Sequence, residues 1–273
     1  MVEPGRTGQI GTTEKTWRNL SVPFGANLSA PSSLSDRSCS RYRRSMTDDP
    51  RPTIEGVVET PTHGRYLVSP GSGPGAPLLV GFHGYAETAE EELRRLRAIP
   101  GIRGWTVVSV EGLHQFYRRR TNEVVASWMT RQNRELLIAD NTAYVSQVIR
   151  RVAEDFSPGT ALVTTGFSQG VAMAYRAAAT LDRPVAGVIA CGGDVPPELG
   201  TAALARIPAV LVGRGARDEW YTAEKMASDE GRLQMAGVTV SPLTFDAAHE
   251  WTSGFGEACF RFLQDSLAAN RTL

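Results

Sequence analysis

The stretch ALVTTGFSQGVAMAYRAA, residues 161–178, decides how the rest of the chain is read. Up to Phe167 it is apolar or β-branched except at Gly166, as a strand covered on both faces requires, and from Gln169 onward helix formers take over. Between the two halves, Gly166-Phe167-Ser168-Gln169-Gly170 fits G-x-S-x-G. A serine in a tight strand-to-helix turn forces backbone against backbone, and glycine on both flanks leaves the space. Such a turn lifts the serine oxygen off the sheet and sets it at a helix N-terminus, where free N–H groups favour developing negative charge. The context predicts a nucleophile at Ser168 rather than a capping serine.

Outward from this elbow the same alternation repeats. LLVGF (78–82), TVVSVE (106–111), VAGVIAC (185–191), IPAVLVGR (207–214) and VTVSPLTF (238–245) read as strands. The helical stretches are EEELRRLRAI (90–99), RELLIADNTAYVSQVIRRVAEDF (134–156), TAEKMASDEGRLQMAG (222–237) and TSGFGEACFRFLQDSLAA (252–269). Apolar strands separated by helices predict an α/β class: a mostly parallel twisted sheet with helices on both faces and no large lid. IEGVVE (54–59) and RYLV (65–68) predict an antiparallel hairpin at its N-terminal end. The segment GLHQFYRRRTNEVVASWMTRQ (112–132) reads as a long irregular connection, of the kind that is functional or mobile.

The predicted catalytic domain spans residues 51–273. Residues 1–50 are rich in Gly, Ser, Pro and Arg and follow no period of 2 or 3.6. They are expected to lack fixed structure or, because Met46 stands just before folded-looking sequence, to reflect a start placed too far upstream.

A serine hydroxyl needs a base to take its proton. Of His63, His83, His114 and His249, only His249, in TFDAAHEWT, follows the last strand at the carboxyl edge of the sheet, which suits the chain order Ser, acid, His. His83, ahead of the serine, is expected to organise its own loop. The acid should follow a strand between the two, and GRGARDEWYT supplies Asp218, with Asp194 and Asp246 as rivals. Two N–H donors must meet the oxyanion of a tetrahedral intermediate. The backbone N–H of Gln169 is one, its side chain having no expected role, and that of Tyr85 in FHGYAET is the other. Trp128, Met129, Trp220, Tyr221 and Trp251 fall in or beside these loops and are candidates to line a pocket.

Lys plus Arg and Asp plus Glu both number 29, so nothing argues for nucleic acid or an anionic surface as partner. The three cysteines show no pairing or zinc-like spacing, and no metal or organic cofactor is expected. No apolar run is long enough for a membrane span. The expectation is a cytoplasmic protein acting on a small ester or thioester, with a homodimer allowed.

Together FHGYAET, GFSQG, GRGARDEW and DAAHEW resemble the α/β-hydrolase superfamily, and within it the phospholipase/carboxylesterase group that includes the acyl-protein thioesterases. The likeness runs over about residues 75–270. It implies Ser168, Asp218 and His249 as a triad, the N–H groups of Tyr85 and Gln169 as oxyanion hole, and hydrolysis of small carboxylic esters or thioesters through an acyl-enzyme. Where the group commonly carries a further glycine in its HG-x-G loop, this chain has Ala86 and Glu87, and ASWMTRQNRE (126–135) has no counterpart in the thioesterase pattern. The fold also hosts haloperoxidases, C–C bond hydrolases, peptidases and non-catalytic binding proteins, so these chemistries stay open at this point.

Overall fold

The structure, a computed structural model, describes residues 54–270, so the expectations for residues 1–50 lie outside the described residues. Residues 54–58 group with the preceding chain, and the unit described below begins at Glu59. Its elements are β1 (Tyr66–Ser69), β2 (Leu78–Phe82), α1 (Ala89–Arg97), β3 (Thr106–Val110), β4 (His114–Tyr117), β5 (Val124–Ser127), α2 (Arg134–Phe156) and β6 (Leu162–Phe167). They continue as α3 (Gln169–Thr180), β7 (Gly187–Cys191), α4 (Thr201–Leu204), β8 (Ala209–Gly215), α5 (Ala223–Met235), β9 (Thr239–Phe245) and α6 (Ser253–Asn270).

The main sheet has seven strands in the order β1-β3-β2-β6-β7-β8-β9, parallel throughout except for β1. Alternate residues of each central strand serve opposite faces. Leu78, Val80, Phe82, Leu162, Val188, Val210 and Val212 pack with residues of α2, α3 and α5, while Leu79, Val107, Val163, Ile189 and Leu211 pack with residues of α1 and α6. That division is why these strands read as continuous apolar runs. The parallel α/β sheet read from the sequence is the observed one.

The antiparallel pieces are distributed differently from the expectation. β1 pairs with β3, Tyr66 opposite Val110, and Ile54–Glu59 forms no strand. Gly56 interrupts that run and Pro61 stands just beyond it, and a proline cannot donate to a ladder. Among the described residues the hairpin is β4–β5, inside the segment read as irregular.

Chain order places the site. The first crossover leads from β2 to β3 on one side, and the next parallel neighbour of β2, on its other side, is β6. The order therefore reverses at β2 and β6, and a parallel sheet opens a crevice beyond the carboxyl ends of its strands at such a point. The loop that follows β2 begins at His83, and the turn that follows β6 is Ser168.

α3 lies against this crevice at a distance only glycine permits. A Cβ on Gly170 would stand 1.9 Å from the Phe82 carbonyl oxygen and 2.6 Å from that of His83; one on Gly166 would stand 2.4 Å from Gly170 backbone atoms. Gly231 in α5 has open space around the equivalent position. Gly170→Ala is therefore expected to overpack the helix–sheet contact and lower Tm by about 5 °C or more. Gly231→Ala, which lowers only unfolded-chain entropy, should raise it by about 1–3 °C. Thermal unfolding of the two variants checks both signs.

Candidate active site

Ser168 occupies φ 53°, ψ −119°, a backbone region non-glycine residues enter only under constraint. The constraint is visible: the Ser168 N–H donates to Cys191 O at 2.9 Å and its carbonyl accepts from Val171 N–H at 3.1 Å, with α3 starting at the next residue. Ser168 Oγ lies 2.8 Å from His249 Nε2, and His249 Nδ1 lies 2.8 Å from Asp218 Oδ2. The three residues follow β6, β8 and β9, so their loops open at the same carboxyl edge of the sheet, and the Arg217 N–H donating to Ala247 O ties the last two loops together. Gly192, at φ 67°, passes beneath the imidazole, where a Cβ would sit 3.1 Å from His249 Cε1.

Asp218 is buried, and its other oxygen accepts the Trp220 and Tyr221 N–H groups at 2.9 Å each. Burial alone would raise its pKa. The hydrogen bonds from Tyr221, His249 and Trp220 outweigh that and hold the carboxyl below its ordinary range. An ionised Asp218 accepts from Nδ1–H, which leaves Nε2 as the lone-pair nitrogen facing the serine. Neither rival acid is bonded to His249: Asp194 lines the same cavity 3.6 Å from Lys225 Nζ, and Asp246 is paired with Arg217.

The loop after β2 is tied down from several directions. His83 Nε2 accepts the Gly112 N–H at 3.0 Å, so its proton resides on Nδ1, which donates to Gly84 O at 2.7 Å. Burial lowers the His83 pKa and keeps the ring neutral, as that pattern requires. A trans peptide points its C=O and N–H in opposite directions. Holding Gly84 O therefore turns the Tyr85 N–H the other way. Trp128 Nε1 donates to His83 O at 2.8 Å, and Ala86 N–H donates to Ala126 O of β5 at 3.0 Å. Gly84 N–H donates to Glu87 Oε2 at 2.7 Å.

Glu87 in turn leads into a buried charge cluster. Arg95 of α1 forms hydrogen-bonded ion pairs with both Glu87 and Glu92, and its guanidinium lies 4.6 Å from the ring centre of Phe167, the residue before the serine. Glu92 is fully buried and its Oε1 has no hydrogen-bond partner. Burial pushes the Glu92 carboxyl up to about 7, with Arg95 opposing the shift. None of this cluster was legible beforehand, since EEELRR reads as the exposed face of an amphipathic helix.

A cavity of about 570 Å³ opens in front of Ser168 and His249. Tyr85, Gln169, Met129 and Trp220 line it, as do Ala172, Arg134, Arg176, Pro196 and Lys225, which the sequence did not single out. Three of the expected lining residues are placed elsewhere. Trp128 is fully buried, its indole N–H spent on His83 O. Tyr221 is buried with its hydroxyl on Asp229, and Trp251 packs edge-on against Phe255. Each has a large apolar surface that core contacts satisfy better than a solvent-filled cavity. The Gln169 side chain, expected to have no role, accepts the Trp128 N–H on Oε1 at 2.9 Å and donates from Nε2 to Met129 O at 3.2 Å. It fastens the elbow to the end of β5, a strand the sequence reading missed.

Against known proteins, the sequence model of the phospholipase/carboxylesterase family matches residues 122–260, just over half of the chain. The chain belongs to the phospholipase/carboxylesterase family. That makes it an α/β-hydrolase and, by class, a carboxylic ester hydrolase. The match contains Ser168, Asp218 and His249 and begins beyond the Tyr85 loop, where the sequence departs from the family's HG-x-G pattern. No curated protein matches by sequence. Among solved structures, a Bacillus cereus carboxylesterase is 17% identical at TM-score 0.59, covering 74% of this chain and 94% of its own. Esterase PE8 is 18% identical at TM-score 0.62, covering 75% of this chain and 99% of its own. Zea mays acyl-protein thioesterase 2 is 15% identical at TM-score 0.58, covering 75% and 100%. At these identities the likeness is one of fold.

The position of Glu92 in this family member has a measurable signature. Its folded-state pKa of about 7 stands above the value of about 4.3 for an exposed glutamate. Between those values the unfolded chain has released a proton that the folded chain still holds, so stability falls as pH rises through that window and levels off beyond it. Glu92→Gln should remove this component. Tm measured from pH 4 to pH 8 is expected to show a downward slope in the wild type that is flattened in the variant.

Proposed function

We propose that the protein hydrolyses a small carboxylic ester or thioester through a covalent acyl-enzyme on Ser168. The observation that carries this reading is the continuous hydrogen-bonded chain Ser168 Oγ, His249, Asp218, with both links at 2.8 Å, opening on a cavity. His249 Nε2 takes the hydroxyl proton as Ser168 Oγ attacks the carbonyl carbon, and the same nitrogen returns it to the leaving alcohol or thiol. A water molecule, deprotonated in its turn by His249, then cleaves the acyl-enzyme and releases the acid.

Asp218 fixes the imidazole tautomer and balances the imidazolium that forms in each half-reaction. The oxyanion is received by the N–H of Gln169, at the start of α3, and by that of Tyr85, aimed by the His83–Gly84 hydrogen bond. Both donors are backbone groups at fixed angles, so they need no reorganisation as charge develops. Cys191 and Cys259, buried and unpaired, suit a cytoplasmic location.

Ser168→Ala is expected to reduce kcat/KM for p-nitrophenyl butyrate by about 10⁴-fold or more, and Asp218→Asn by about 10⁴-fold through loss of the correct tautomer. A fluorophosphonate probe should label the wild type at Ser168 and leave the alanine variant unlabelled. Retention of most turnover in Ser168→Ala would overturn the assignment.

A further inference from the structure

The cavity in front of Ser168 is more positive than the chain that builds it. Formal net charge over the chain is zero, yet the lining holds Arg134, Arg176 and Lys225 against a single carboxylate, Asp194. Lys225 is accounted for, donating to Trp220 O at 2.7 Å and lying 3.6 Å from Asp194. Arg176 is paired with Glu198 and keeps one guanidinium nitrogen off oxygen, whereas Arg134 has no ion pair among the described residues.

Arg176 shares a face of α3 with the elbow, because Ser168, Ala172 and Arg176 recur at four-residue spacing. Eight residues of helical rise put its Cα about 12 Å from that of Ser168, and a helical side chain leans back toward the N-terminus, here toward the serine. The Arg176 side chain is only 3% exposed. Its Nε and Nη2 converge on one oxygen, Glu198 Oε1, at 2.8 and 2.6 Å. Nη1 meets only the sulfur of Met173, at 3.8 Å. A thioether is a weak acceptor, and a buried guanidinium normally satisfies its donors with oxygen.

Arg134 brings a second guanidinium to the same cavity. It is exposed and makes no hydrogen bond or ion pair among the described residues. It is also the first residue of α2, where the helix dipole disfavours a cation, after an N-cap, Asn133, whose side chain makes no capping bond. Its charge bears on both Arg176 and Glu198. A planar guanidinium is suited to bidentate recognition of carboxylate, and an anion between the two would fill the donors that Arg176 leaves on sulfur.

We infer that Arg176 and Arg134 form a subsite for a carboxylate carried by the substrate, so that the preferred substrate is an anionic ester rather than a neutral one of the same length. The inference rests on Ser168 being the nucleophile, since it places the scissile carbonyl at one end of the cavity and the carboxylate at the other. Two arrangements share this recognition chemistry: a monoester of a dicarboxylic acid, with the anion on the acyl side, and an acylated hydroxy acid, with the anion on the alcohol side.

The test compares kcat/KM for monoethyl adipate with ethyl hexanoate, and for 4-acetoxybutanoate with butyl acetate, by pH-stat titration. In the wild type at least one charged-to-neutral ratio should exceed unity by about tenfold or more, and the pair that shows it tells which side carries the anion. That ratio should fall by about tenfold in Arg176→Gln and by a smaller factor in Arg134→Gln, whose exposed position spares the fold. Calorimetric binding of monoethyl adipate and of 4-acetoxybutanoate to Ser168→Ala protein reads the same subsite without turnover, and it should weaken on adding either arginine substitution. Ratios at or below unity for both pairs in an active wild type, or ratios that neither arginine variant changes, would overturn the subsite while leaving the hydrolase reading intact. Turnover that survives Ser168→Ala would instead overturn the hydrolase reading.

Discussion

Between α3 and the carboxyl end of β2 there is no room for a methyl group. The separation of 1.9 Å between a hypothetical Gly170 Cβ and the Phe82 carbonyl is a contact no side chain survives. That closeness sets the rest of the site. It forces the turn before α3 into the strained backbone of Ser168, and it brings the first N–H of the helix beside the loop that follows β2. It also leaves the serine oxygen facing a histidine delivered by a strand at the far edge of the sheet. The strain is held by hydrogen bonds on both sides of the serine and by the Gln169 side chain clasping the end of β5.

Around that contact the molecule uses polar groups in two different ways. Near His249 they are saturated: Asp218 receives His249 and two backbone N–H groups, so its charge is fully met. Beneath the loop of Tyr85 they are crowded instead, with Glu87 and Glu92 sharing Arg95 and one Glu92 oxygen left without a donor. A buried carboxylate with an unmet oxygen is costly, and Glu92 is linked to Gly84 N–H through Arg95 and Glu87, which couples loop geometry to that cost.

Much of the architecture was legible because parallel strands buried on both faces must be apolar throughout, and five such runs with helices between them leave little choice of class. That Ser168, Asp218 and His249 would come within hydrogen-bonding reach of one another was foreseeable because chain order around a strand–elbow–helix turn is a strong constraint. The β4–β5 hairpin was not. Its strands are four residues each, and His114–Tyr117 alternates half-buried with exposed positions while Val124–Ser127 is mostly buried, so no single period marks it. Missing β5 hid the partners of Gln169 and the true surroundings of Trp128. The aromatic residues misled in another way: loop position near a site does not separate a lining residue from one whose polar tip is satisfied in the core, as with Trp128 and Tyr221. The charged wall of the cavity escaped notice because Arg134 and Arg176 sit on different helices whose contact only the fold creates.

The edge position of β9 carries a consequence for how the protein fails. β9 has a single strand neighbour, β8, and most of its residues are exposed or half-exposed, yet the loop that follows it delivers His249. Edge elements with few buried contacts open first when a fold is stressed. Ser168, held between the central strands and α3, would then keep its place after His249 has departed. On the proposed mechanism, inactivation by heat or denaturant is expected to precede global unfolding, so that loss of turnover would report the fraying of one sheet edge rather than the collapse of the core.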